Sequence, residues 1–92
     1  MAVLLVSSAP SRAAYDAIDS VLDLVGHRPG GMIVHAAAEQ ADGTVLIVDL
    51  WESETAMDAF EQGRLLPAFA AVPSVHMSEP PIRHDTFQVV KA

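Results

Sequence analysis

Met32-Ile-Val-His-Ala-Ala-Ala-Glu-Gln-Ala-Asp-Gly-Thr-Val-Leu-Ile-Val-Asp-Leu-Trp51 is the stretch on which the fold turns. Met32 to Ala38 and Thr44 to Trp51 read as two strands joined across Ala41-Asp42-Gly43, because Asp and Gly accept the backbone angles of a tight hairpin. The two form one antiparallel pair. Working outward, Ala2-Val-Leu-Leu-Val6 is a short apolar run that stops at Ser7-Ser8-Ala9-Pro10, the pattern of a central strand covered on both faces. From Ser11 the period changes to three and four residues. Ala14, Tyr15, Ile18, Val21, Leu22 and Val25 share one side, with Arg12, Asp16, Asp19 and Asp23 on the other. This predicts a helix of about four turns, with Gly26 in its C-terminal left-handed position and Pro29-Gly30-Gly31 preventing continuation. After Trp51, Ser53 is an N-cap for a second helix whose apolar face is Ala56, Met57 and Phe60, interrupted at Gly63 and Pro67. Leu65 to Val72 then forms a further short helix. Pro73, Pro80 and Pro81 enclose a loop before a last strand from about Ile82 to Val90.

The order β-α-β-β-α-β is that of the ferredoxin-like α+β unit, a four-stranded antiparallel sheet with both helices on one face. The other face is left bare, and two such sheets facing each other would cover it. A chain of 92 residues makes a single domain and is marginal alone at this size. Half of its residues are apolar, which also points to a homodimer. Twelve acids against five scattered Lys and Arg leave a net charge of −7, so neither nucleic acid nor an anionic membrane surface is an expected partner. The absence of cysteine excludes disulfides and thiolate chemistry. The opening apolar run is too short for a signal-peptide core, and no stretch reaches the length of a membrane span. The chain therefore reads as a cytoplasmic protein.

The stretch His35 to Phe69, above all Asp49-Leu-Trp-Glu-Ser-Glu-Thr-Ala-Met-Asp-Ala-Phe60 after a glycine hairpin, resembles the dimeric α+β barrel superfamily that includes antibiotic-biosynthesis monooxygenases. The resemblance implies a sheet that joins a second subunit's sheet into a barrel, and a ligand cavity within the barrel or between sheet and helices. The superfamily holds cofactor-free oxygenases, polyketide cyclases, isomerases, haem-degrading enzymes and ligand sensors, so fold alone leaves the chemistry open. Haem-degrading members that are similar to this chain carry Trp where Phe60 stands and a haem-ligating His where Ala70 stands, which disfavours haem degradation. Many small quinol monooxygenases carry His at the position of Phe60.

Asp49 stands out as an acid late in an apolar strand. Val45, Ile47, Asp49 and Trp51 share one face, opposite Leu46, Val48 and Leu50. The all-apolar face is expected against the helices, with Asp49 turned to the cavity or dimer side as a proton-exchanging or structural carboxylate. The role of His35 depends on register. A three-residue loop at Ala41-Asp42-Gly43 sets His35 opposite Asp49 as a base-and-orienter pair, whereas a two-residue loop at Asp42-Gly43 sends it to the opposite face. Trp51, Phe60 and Tyr15 are either an aromatic pocket lining or core. His76 reaches a ligand if the Pro-rich loop closes over a pocket, and Arg64 either holds an acidic ligand or pairs with Glu61 or Asp58. The histidines, His27 and His84 included, show neither i, i+4 spacing nor a compact ligand pattern, so no metal and no cofactor is expected. The sequence points to a small cofactor-independent monooxygenase, cyclase or isomerase acting on an apolar or aromatic, polyketide-like metabolite. The alternative is a non-catalytic ligand-binding or assembly dimer.

Overall fold

The computed structural model describes residues 1–76 and 79–92, and its elements follow the order β1 (Val3–Ala9), α1 (Arg12–Leu22), β2 (Met32–Glu39), β3 (Val45–Trp51), α2 (Glu54–Phe60), a π-helical turn (Glu61–Leu65), α3 (Leu66–Ala71) and β4 (Ile82–Asp85). The strands make one four-stranded antiparallel sheet ordered β2-β3-β1-β4, the ferredoxin-like arrangement. Side-chain oxygens of Ser11 and Ser53 accept from the backbone N–H groups of Ala14 and Ala56, capping α1 and α2 where the sequence places their starts.

The hairpin adopts the three-residue loop. Gln40 N–H donates to Thr44 O at 2.8 Å, Gly43 N–H to Gln40 O at 3.0 Å, and Gly43 takes φ +87°. At the far end of β2 the ladder shifts by one residue between Met32 and Val34, a β-bulge. Arg28 pins it, its guanidinium donating to the carbonyls of Met32 and Ile33. Between hairpin and bulge the register is fixed, and it sets His35 directly opposite Asp49.

Four expectations change. The helices cover the face of β3 that carries Val45, Asp49 and Trp51, and the Leu46, Val48 and Leu50 face is the bare one. Trp51 decides this. It is completely buried against Phe60 at a ring-centroid distance of 5.2 Å, within a core that takes Ile18 and Leu22 from α1 and Met57 from α2. Burying an indole with Val3 and Met32 beside it outweighs burying aliphatic side chains on the other side. Second, α1 ends at Asp23 rather than Gly26. Asp23 takes the left-handed conformation at φ 49°, and its carboxylate receives Gly26 N–H and pairs with His27. A short polar side chain that hydrogen-bonds locally makes that conformation accessible, and it leaves Val25 98% exposed.

Third, Gly63 and Pro67 do not interrupt the second helical segment, which runs on through the π-turn into α3. Pro67 has no N–H, and its ring collides with a carbonyl four residues back in a regular helix. Widening the turn, with Leu66 N–H donating to Glu61 O, accommodates it. Fourth, β4 stops at Asp85, and residues 86–90 form no strand. The Pro-rich loop keeps Val75, His76 and Pro81 against the helix side, while its residues 77 and 78 lie outside the described ones. No helix among the described residues is long and apolar enough to cross a membrane.

Candidate functional site

Between the sheet and α1, and closed by the α2-to-α3 segment, lies a cavity of about 160 Å³ walled mostly by apolar side chains such as Leu5, Ile18, Met57 and Phe60. Position 49 of β3 and position 35 of β2 place their side chains on this wall because strand alternation puts them on the same face as Trp51. Nδ1 of His35 lies 2.6 Å from Oδ1 of Asp49. Asp49 is only 7% exposed, so the pair sits largely out of water.

Tyr15, in the first turns of α1, reaches down to the same ring. Its Oη stands 2.7 Å from Nε2 of His35, and the two rings lie nearly parallel at 17°. An unbroken chain therefore runs Tyr15–His35–Asp49. With neutral His35, Nδ1–H donates to Asp49 and the Tyr15 hydroxyl donates to Nε2; with imidazolium, Nε2–H donates back to the phenol oxygen and frees its proton for a ligand. The hydrogen bond that His35 donates to Asp49 is the main reason that the His35 pKa is raised above its ordinary value, against the opposing pull of desolvation. Burial, helped by the charges of Asp19 and Asp49, raises the Tyr15 pKa, which keeps it a phenol.

The other expected site residues divide. Trp51, Phe60 and His76 line the cavity, His76 from its exposed rim. Arg64 does not. It donates to Leu22 O at 2.7 Å, closing the end of α1, and its guanidinium lies 5.6 Å from the Phe60 ring centroid. His27 pairs with Asp23 on the surface, and His84 lies on the bare face of the sheet. Among the described residues no group of three His, Asp or Glu is placed to hold a metal. Two features escaped sequence reasoning. Tyr15 bonds to the histidine rather than only lining a pocket, and Asp19, assigned to the polar side of α1, lines the cavity. The signal for Asp19 was its i, i+4 spacing from Tyr15, since such pairs share a helix face.

The fold and this cavity define a ferredoxin-like α+β subunit with an apolar ligand chamber between sheet and helices. Solved structures place it more narrowly by shape: the chain has the fold of antibiotic-biosynthesis-monooxygenase-like proteins. A candidate antibiotic biosynthesis monooxygenase from Chloroflexus aurantiacus J-10-fl superposes with a TM-score of 0.72 at 12% identity, over 99% of this chain and 98% of that one. SnoaB, a cofactor-independent oxygenase from Streptomyces nogalater, gives 0.70 at 15% identity over 99% and 98%. Rv0793 from Mycobacterium tuberculosis gives 0.69 at 17% over 100% and 99%. No protein-family model and no curated protein sequence matches the chain.

Proposed function

We propose that the protein is a small cofactor-independent enzyme that takes an apolar or aromatic, polyketide-like metabolite into the cavity and removes a proton from it. The observation that carries this reading is the hydrogen-bonded chain from Asp49 through His35 to Tyr15, ending at an apolar chamber. The likeness in fold to SnoaB, a cofactor-independent oxygenase, supports it. As the substrate proton passes to the Tyr15 oxygen, the phenol proton passes to Nε2 of His35, and the resulting imidazolium is held by Asp49. The negative charge of the Asp49–His35 pair is thereby balanced by the imidazolium, and one negative charge develops on the substrate. Because Tyr15 favours its neutral form, the proton passes through it and rests on His35. The substrate anion then adds to its own carbonyl, is reprotonated at another carbon, or gives up electrons to dioxygen, so that a CH₂ group becomes a carbonyl with one oxygen atom while the other leaves as water; these are the cyclase, isomerase and monooxygenase outcomes.

In this reading the enzyme is a homodimer. The bare sheet face, with Val34, Leu46, Val48, Leu50 and Ile82, is largely apolar, with Ser8 and His84 its polar members, and a second copy covers it. The test is solvent-deuterium exchange into aromatic ketones with acidic C–H groups, followed by NMR. Tyr15→Phe and His35→Gln should each slow exchange by about 10²- to 10⁴-fold. Unchanged exchange in both, with ligands recovered intact, would instead make the chain a binding dimer.

A further inference from the structure

The two ends of β2 are held in registers that differ by one residue. At the hairpin end Glu39 pairs with Val45 and His35 with Asp49, while at the other end Met32 pairs with Trp51. Met32 and Val34 are two positions apart, yet their partners Trp51 and Leu50 are adjacent on β3, so Ile33 is the extra residue. This bulge reconciles two demands that a regular strand cannot meet. Met32 and His35 are three positions apart, and alternation would send their side chains to opposite faces. Both nevertheless line the cavity, with Met32 buried in the core cluster that holds Trp51.

With one end fixed by the three-residue loop and the other by the core around Trp51, β2 has to take up one extra residue between them. The position of that residue decides where His35 goes. An extra residue at Ile33 leaves His35 opposite Asp49. Moved to the hairpin side of His35, it would set His35 opposite Val48, on the bare face of the sheet.

The guanidinium of Arg28 sits on the bulge. Its Nη2 donates to Met32 O at 2.7 Å and to Ile33 O at 3.1 Å, and its Nε donates to Met32 O at 3.2 Å. Successive carbonyls of a regular strand point to opposite sides, so one nitrogen reaches both only where the strand bends. A planar, charged fork therefore holds this bent backbone in preference to a straight one. We propose that Arg28 is a positioning residue for the proton chain: by keeping the extra residue at Ile33, it keeps the His35 imidazole on the cavity side, within reach of Asp49 and Tyr15. The proposal rests on His35 working in the proposed proton transfer, but the place of its side chain can be read without any activity. The bonds of His35 to Asp49 and Tyr15 favour the same placement, so loss of Arg28 should populate the shifted strand beside the native one.

The experiment is NMR on the full chain, following the His35 imidazole and the cross-strand contacts of β2, together with the kinetics of deuterium exchange into aromatic ketones. In Arg28→Ala the Nδ1–H signal of His35 should weaken or broaden, and contacts from His35 to Val48 should appear beside those to Asp49. The kcat of exchange should fall about ten- to a hundredfold with KM little changed, as expected when a remote substitution misplaces a reacting group. Guanidinium at low millimolar concentration should restore part of both. Deleting Ile33 brings the two registers into agreement without a bulge, so in that background Arg28→Ala should leave the imidazole signal unchanged. An Arg28→Ala protein with the wild-type His35 signal and contacts, and only a lower unfolding midpoint, would make Arg28 a stability residue and overturn the proposal. Survival of the Arg28→Ala effect in the chain lacking Ile33 would overturn it too. If Arg28→Ala does not fold, Arg28→Gln, which keeps a donor and loses the charged fork, decides in the same way. If no ketone exchanges with the wild type, the catalytic reading falls and the His35 signal alone decides.

Discussion

His35 and Asp49 meet across the β2–β3 ladder with Nδ1 and Oδ1 2.6 Å apart, and that bond ties the fold's stability to pH. It raises the His35 pKa in the folded state above the unfolded value of about 6.5. A raised folded pKa means that the native state holds the proton more tightly than the unfolded chain. The stabilisation is therefore complete below the unfolded pKa and is lost as pH rises through the folded one. Urea unfolding should give a higher midpoint at pH 6 than at pH 9. In His35→Gln that difference should shrink, and an undiminished difference would show that other groups carry it.

Tyr15→Phe isolates the outer bond of the same chain. It removes the phenol that meets Nε2 of His35 at 2.7 Å and keeps the ring that packs beside it. The loss in unfolding free energy should be about 0.5–1.5 kcal/mol, the net worth of one partly buried hydrogen bond. A ¹⁵N NMR spectrum of the neutral imidazole should still show the proton on Nδ1, since Asp49 holds it there. A switch to Nε2–H in the wild-type protein would reverse the direction of the chain.

Much of this architecture is legible in the residues themselves. The period-two strands, the Ala41-Asp42-Gly43 loop and the serine caps are local signals, and each describes the backbone within a few residues. The register that pairs His35 with Asp49 follows from the loop length alone, once the three-residue form is distinguished from the two-residue one. What could not be read was which face of β3 turns to the helices. Alternation gives two faces without saying which is inner, and that choice rests on Trp51 meeting Phe60 and Met57, residues on another element. The same tertiary packing brings Asp19 inward, against the helix's own charge pattern.

Two glycines should respond oppositely to alanine. Gly31 takes φ +83°, and a Cβ there would collide with Cβ of Ala56, while its carbonyl accepts Glu52 N–H at 2.8 Å. Gly31→Ala should cost about 1–3 kcal/mol through strain at that conformation, together with the clash. Gly63, inside the π-turn, has an ordinary negative φ, and a methyl group added to it would meet nothing within 4 Å. Gly63→Ala should therefore stabilise by about 0.4–1 kcal/mol, because it restricts the unfolded chain without straining the folded one. Thermal unfolding of the pair checks both signs, and a stabilised Gly31→Ala would contradict the strain assigned to that bend.

The bare sheet face gives the last prediction. Leu46 and Val48 lie next to Ser8 and Val6 of β1 and to Ala38 and Ala36 of β2, so a charge at either position enters an apolar surface without touching the cavity on the other side. If a second copy covers this face, each Val48→Lys subunit brings a charge into the contact, and two unpaired lysines facing each other in a desolvated interface cost far more than the apolar area they replace. Sedimentation velocity should show a dimer for the wild type and a monomer for Val48→Lys, with the unfolding midpoint lowered at equal protein concentration because dimerisation no longer contributes. Exchanging Arg12 for Ala on the helix side, where it pairs with Asp16 at the surface, should leave the dimer intact. A wild-type monomer at high concentration, or a dimer that survives Val48→Lys, would place the second copy elsewhere and leave this face to another partner.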